Sequence, residues 1–201
     1  MIKVDKFNKI SDDGPAFIIA EIGSNHNQKL SLAYKMIDTA KKCGANAVKF
    51  QTFKAKYHFS KYSPSFKFLN NAPMYDLIKS LEINRLWHKK LYDYCEKKKI
   101  TFFSSPCDLE AVDDLHKVGT KIYKVSSFDL TDLKLVSYIA RKKKPVILST
   151  GLASLDDISR AIKICKKEKN NKIILLECTS LYPAPEKLMN LNAIIKLKSK
   201  L

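Results

Sequence analysis

Along this chain, short and nearly continuous apolar runs alternate with longer stretches in which apolar residues recur every three or four positions. Four of the runs end abruptly in polar residues: Phe17-Ile-Ile-Ala-Glu-Ile-Gly-Ser-Asn-His26, Ala47-Val-Lys-Phe-Gln-Thr-Phe53, Lys121-Ile-Tyr-Lys-Val-Ser-Ser127 and Ile173-Ile-Leu-Leu-Glu-Cys-Thr-Ser-Leu-Tyr182. A run of this kind, bounded by turn residues, marks a strand buried on both faces, as in a parallel sheet covered by helices. The pattern predicts strands near 16–22, 46–52, 100–105, 121–126, 145–149 and 172–178, with helices near 30–43, 84–98, 108–117, 131–142, 154–168 and 187–199. A strand and then a helix, repeated every roughly 20 to 30 residues, is the rhythm of βα units.

Local signals agree with these bounds. Ser154 is an N-cap candidate, and Asp156 and Asp157 put negative charge in the first turn of the fifth helix, where it favours the dipole. Gly44 sits where a glycine should end the first helix. The insert from Lys54 to about Lys79, rich in aromatics, Ser and Pro, interrupts the rhythm, and a loop of that length at a ligand-binding end is often a lid or a binding wall. Six βα units account for the sequence; a (β/α)₈ barrel needs eight and typically about 250 residues, whereas an open doubly wound sheet needs only five or six strands. No Gly-x-Gly-x-x-Gly follows the first strand, which argues against a dinucleotide site.

Composition adds limits. A chain of 201 residues that is 45% apolar can bury one full core, so a single domain over 1–201 is expected. No stretch approaches the roughly 18 uninterrupted apolar residues of a membrane span, and Lys3, Asp5 and Lys6 break up any signal-peptide core, so a cytoplasmic protein without membrane partners is expected. Five widely spaced cysteines without a Cys-x-x-Cys pair read as reduced thiols, not as a disulfide framework or zinc site. The net charge of +17 raises the possibility of a nucleic-acid-binding module. The lysines, however, fall mostly on helices and their ends (Lys97-Lys-Lys99, Arg141-Lys-Lys-Lys144, Lys166-Lys167), as solvated faces do, and no zinc-finger, helix-turn-helix or RNA-binding signature accompanies them; no nucleic-acid partner is expected.

The strand ends collect the chemistry. Glu21, Asn25, Lys49, Gln51, Lys124, Ser126, Ser127, Ser180 and Tyr182 all follow or end apolar runs, a set suited to an anionic, hydroxyl-rich ligand at the carboxyl ends of parallel strands. Lys49 and Lys124 lie within strands apolar enough to be core, so each should meet a carboxylate, Glu21 or Asp129, or an anionic ligand. A desolvated Lys124 could also form a Schiff base, as in an aldolase-like lyase. Glu21 and Asp129 are the acids placed to orient hydroxyls or move a proton. Ser104-Ser105, Ser149-Thr150 and Thr179-Ser180 are three hydroxyl pairs at strand ends, able to donate to phosphate oxygens or to cap the next helix. His26 has no neighbours with metal-ligand spacing.

Six stretches, in order, resemble the N-terminal barrel of the sialic acid synthase family, which includes the pseudaminic and legionaminic acid synthases: Ile18-Ile-Ala-Glu-Ile-Gly-Ser-Asn-His26, Lys49-Phe-Gln-Thr52, Phe103-Ser-Ser-Pro106, Tyr123-Lys-Val-Ser-Ser127, Lys144-Pro-Val-Ile-Leu-Ser-Thr-Gly151 and Cys178-Thr-Ser-Leu-Tyr-Pro-Ala-Pro185. The resemblance implies a TIM-type (β/α)₈ barrel of which this chain carries about six units. It also implies condensation of phosphoenolpyruvate with the open-chain aldehyde of an N-acetylated hexosamine, giving a nine-carbon 2-keto acid and phosphate. Carried over residue by residue, Lys49, Ser105, Lys124, Ser127 and Ser180 would cradle phosphoenolpyruvate, while Glu21, Gln51, Asp129 and Tyr182 would hold the sugar. Glu21 and Lys124 are assigned to catalysis.

The family's divalent metal, manganese or magnesium, takes histidines from the last two barrel strands, and its small antifreeze-like C-terminal domain reaches over the partner's site in a swapped homodimer. This sequence reaches Leu201 before either feature, so the resemblance implies a partial barrel without that domain. Asp129 stands where some members carry Glu, and Ser180 where some carry Asn. Phe128-Asp129 and Thr179-Ser180 look like pseudaminic acid synthases, and Met74-Tyr-Asp-Leu-Ile-Lys-Ser-Leu81 like the sialic and legionaminic members, which leaves the acceptor open between N-acetylmannosamine and a 6-deoxy diacetamido sugar.

Overall fold

The computed structural model describes residues 1–65 and 73–201, which form two compact units, Lys3–Lys121 and Ile122–Leu201. Each contains a three-stranded parallel sheet and helices, so the α/β class and the parallel strands expected from the apolar runs are present.

The first unit contains β3 (Ile19–Gly23), β4 (Ala47–Thr52) and β5 (Thr101–Pro106), adjacent in that order. Every residue of β5 is buried, as is every residue of β4 except Gln51, which explains why both read as unbroken runs and not as alternating ones. Helix α1 (Leu30–Lys42) buries Ala33, Ile37 and Ala40 and packs on β3, β4 and α4 (Trp87–Lys98). Gly44 follows α1 at φ +86°, the left-handed conformation that suits glycine. Helix α5 (Leu109–Lys117) packs on β5, capped by the Asp108 side chain, which accepts from the amide of Ala111 at 2.7 Å. Asp108 also takes Arg85 Nη2 at 2.6 Å, an ion pair with both partners largely buried.

Two strands of two residues each, β1 (Ile2–Lys3) and β2 (Lys9–Ile10), have no counterpart in the apolar pattern, being too short to show any. The turn between them is set by Asp5. Its Oδ1 accepts from the amides of Phe7 (2.7 Å) and Asn8 (2.8 Å), and its Oδ2 accepts from the hydroxyl of Thr101 at the start of β5. The insert after β4 contains two short helices, α2 (Ala55–His58) and α3 (Met74–Ser80), and a bridge between Ser65 and Pro73; positions 66–72 of the expected lid lie outside the described residues.

The second unit contains β6 (Tyr123–Val125), β7 (Val146–Ser149) and β8 (Ile173–Leu176), again adjacent in order. Helices α6 (Leu133–Arg141) and α7 (Leu155–Lys167) pack on one another. Ser154 caps α7 in a full capping box, its hydroxyl accepting from the amide of Asp157 while the Asp157 carboxylate accepts from the amide of Ser154. The helix expected over 187–199 is shorter: a single 3₁₀ turn, Glu186–Leu188, precedes α8 (Ala193–Lys200), which buries none of its side chains. Three helices end on lysines in the left-handed conformation: Lys99 after α4, Lys143 after α6 and Lys169 after α7, at φ 55°, 57° and 56°. Among the described residues no helix is long and apolar enough to cross a membrane.

Candidate functional site

In the first unit the parallel register sets Glu21 beside Lys49 and Gln51 beside Ser105. Because side chains alternate along a strand, Lys49 and Gln51 share one face of β4, while Val48, Phe50 and Thr52 point to the other, helix-covered face. Lys49 is buried, its side chain 6% exposed, and its ammonium meets Glu21 Oε2 at 2.7 Å and Ser105 Oγ at 3.4 Å. The expected carboxylate partner is therefore Glu21, whose own side chain is 59% exposed. An ion pair with one desolvated and one wet end offsets the cost of burying the cation while leaving carboxylate oxygen facing solvent. The register shifts between Glu21 and Gly23, and Gly23 takes φ +55°, so the strand is irregular directly after Glu21 before Gly23 pairs with Phe50. Gln51 is exposed.

In the second unit Lys124 is buried and its ammonium meets the hydroxyl of Ser149, one strand away, and the carbonyl oxygen of Val125 at 3.1 Å. Asp129, the acid expected to pair with Lys124, accepts instead from Ser126 Oγ at 2.7 Å, and Ser126 in turn accepts from the amide of Asp129 at 3.2 Å. This closed local turn satisfies the buried carboxylate three residues from its partner, a nearer solution than a lysine within the strand. Ser127 Oγ accepts from the amide of Gly151 at 3.2 Å. Gly151 itself has no room for a side chain: a Cβ there would lie 2.5 Å from both the carbonyl oxygen of Cys178 and Ser180 Oγ. The ends of β7 and β8 are thus drawn together, with Ser127 and Ser180 on either side of Gly151. Tyr182 is 96% exposed and makes no close packing in this unit.

The three hydroxyl pairs cap none of the described helices; α5, α6 and α7 use Asp108, Asp132 and Ser154 instead. Ser105 and Ser149 turn towards the two lysines. Ser104, on the helix-covered face, bonds Thr52 at 2.8 Å, and Thr52 bonds His88 Nε2 at 3.0 Å. His88 escaped the sequence reading because it lies in a polar helical stretch with nothing nearby to mark it. Ser149, read from the sequence only as one of a hydroxyl pair for phosphate or for capping, is a partner of Lys124, and Gly151 stood in the motif without a role. His26 is fully buried between Phe50 and Trp87, its Nδ1 accepting from the amide of Gln28 at 3.3 Å. Burial lowers its pKa and holds it neutral, and burial next to the Arg85 cation lowers that of His88 to about 4. Both histidines are thus absorbed in the core, and among the described residues no group of three or more His, Cys, Asp or Glu side chains is placed to hold a metal ion. These residues do not fit the divalent metal that the resemblance implies.

A family model described as the NeuB family matches residues 36–201. The chain belongs to the NeuB family. Among its relatives, this NeuB-family chain is 42% identical over 188 residues to an N,N'-diacetyllegionaminic acid synthase of Campylobacter jejuni, covering 90% of the chain and 56% of that protein. It is 35% identical over 213 residues to a pseudaminic acid synthase of the same species, covering 99% of the chain and 59% of that protein. It matches the crystal structure of an N-acetylneuraminic acid synthetase from Leptospira borgpetersenii, solved in complex with citrate, with a TM-score of 0.84 and 38% identity over 94% of the chain and 62% of that structure. The chain thus spans little more than half the length of these relatives.

Proposed function

We propose that this NeuB-family chain carries the phosphoenolpyruvate-binding part of a nonulosonic acid synthase. The observation that carries the reading is an arrangement present in both units: a buried lysine within a parallel strand, in contact with the hydroxyl of a serine on the next strand (Lys49 with Ser105, Lys124 with Ser149). Phosphoenolpyruvate brings a carboxylate and a phosphate, and desolvated ammonium groups beside hydroxyl donors suit both. In this reading Lys49, Ser105, Lys124, Ser127 and Ser180 hold phosphoenolpyruvate, and Glu21, Gln51, Asp129 and Tyr182 hold an N-acetylated amino sugar.

Carbon 3 of phosphoenolpyruvate bonds to the aldehyde carbon of the sugar, and the aldehyde oxygen takes up a proton to become a hydroxyl. Water adds at carbon 2, and cleavage of the bond between that carbon and the phosphate oxygen releases inorganic phosphate and leaves a 2-keto acid. Glu21 suits the proton and water steps: its carboxylate is held by Lys49 on one side and open to solvent on the other. The architecture is assigned as six units of a (β/α)₈ barrel. The remaining units, the metal's histidines, the C-terminal domain and the homodimer contact belong, in this reading, to the length of the relatives that the chain does not match, and the protein works in the cytoplasm.

A chain extended to the length of its relatives should release phosphate from phosphoenolpyruvate only when an N-acetylated hexosamine and a divalent metal are both supplied. Consumption without sugar, or no turnover with N-acetylmannosamine and its 6-deoxy diacetamido relatives, would overturn the reading. The member of that panel that is turned over fixes the acceptor.

A further inference from the structure

Behind the sheet of the first unit, on the side away from Lys49, lies a buried polar chain: His88 on α4, Thr52 at the end of β4 and Ser104 on β5. Its links are 3.0 Å from His88 Nε2 to Thr52 Oγ1 and 2.8 Å from Thr52 Oγ1 to Ser104 Oγ. All three side chains are buried, in a layer otherwise made of residues such as Phe50 and Phe102. Each strand residue in the chain adjoins a candidate ligand residue on the opposite face: Thr52 follows Gln51, and Ser104 precedes Ser105. Gln51 and Ser105 are themselves register partners.

We infer that His88 is a positioning residue, which through Thr52 and Ser104 holds the ends of β4 and β5 in the alignment that presents Gln51 and Ser105 to the ligand. The inference rests on the reading that those residues bind ligand. The bonding fixes a direction. His88 Nδ1 is buried and has no hydrogen-bond partner among the described residues. A buried N–H without an acceptor is more costly than an unused lone pair, so the ring proton belongs on Nε2. Nε2–H then donates to Thr52, and the Thr52 hydroxyl is left to donate to Ser104. Ser104 is held in one orientation, and with it the backbone that carries Ser105 towards Lys49 at 3.4 Å.

Three measurements on the 201-residue chain test this. Long-range proton-nitrogen NMR should find His88 protonated at Nε2 and bare at Nδ1 at neutral pH; the opposite tautomer reverses the chain and overturns the inference. His88→Gln retains a donor near the Nε2 position, whereas His88→Met fills similar space without one. At a temperature where thermal melts show all three proteins folded, phosphorus NMR titration should give His88→Gln the affinity for phosphoenolpyruvate of the parent, and His88→Met one about fivefold weaker, the effect of one hydrogen bond. A purely structural role would lower the melting temperature of both variants and leave affinity the same in both, and that result overturns the inference. A parent chain that binds no phosphoenolpyruvate overturns the functional reading itself and this inference with it, an outcome separable from the previous one because it appears before any substitution is made.

Discussion

The two units follow the same βα grammar and hold their strand ends by different means. In the first, the outer strand β3 is covered by α1, whose Ile37 and Ala33 are fully buried, and the ends of β4 and β5 are joined from behind by His88, Thr52 and Ser104. In the second, β8 is part-exposed and the helix that follows it buries nothing; the strand is held in register along β7 over four residues, and just beyond their ends the backbone approaches closely at Gly151. The outer strand of the first unit is therefore covered by a docked helix, whereas that of the second is left part-exposed. The lesson is that a repeated pattern of apolar runs specifies which strands form, while the helix that docks on each strand decides how firmly it is held.

The sharpest test of this contrast is a matched pair of isoleucine truncations. Ile37→Ala, at a fully buried position of α1, should lower stability by about 2–5 kcal/mol, whereas Ile195→Ala, 71% exposed on α8, should stay within about 0.5 kcal/mol of the parent in denaturant titrations. Equal losses would erase the distinction.

Acid should separate the units next. His88 titrates near 4 in the fold against its ordinary 6.5, so the folded form favours the neutral ring. Above pH 6.5 it contributes no pH dependence. As pH falls from 6.5 towards 4 the unfolded chain takes up a proton that the folded chain refuses, and stability declines by about 3 kcal/mol at roughly 1.36 kcal/mol per pH unit. His26, also lowered by burial, acts in the same direction. Hydrogen exchange at pH 5 should therefore show earlier loss of protection in β4 and β5 than in β7, and His88→Gln should reduce the difference. The smallest of the three effects is expected at Gly151: Gly151→Ala forces a methyl against the Cys178 carbonyl oxygen and should cost about 1–3 kcal/mol, reported by exchange at the ends of β7 and β8 with β4 unaffected.

Much of this was legible in the sequence. The six long strands and the helices after five of them follow from apolar runs and caps, because burial on both faces and capping are local and leave local signatures. Lys49 with Glu21 was legible because a buried cation within a strand must find an anion nearby. What escaped depends on tertiary structure or on competition. Asp129 was drawn to Ser126 because a turn three residues long closes more readily than a longer reach to Lys124. His88 acts only through residues on two other elements, and Asp5 reaches across to Thr101 from a turn between strands too short to show a pattern. The close approach at Gly151 arises only once β7 and β8 are aligned.

Lys99, Lys143 and Lys169 end three helices in a backbone shape that glycine adopts freely and that costs other residues about 1–2 kcal/mol. The sequence has only five glycines, and none stands at these ends. The fold therefore retains an unused margin at places remote from every strand end that carries candidate chemistry. Glycine at the three positions should raise the melting temperature in small, additive steps, and a lineage that needed tolerance for new residues around Lys49 or Lys124 could acquire it there, by changes that never touch the ligand.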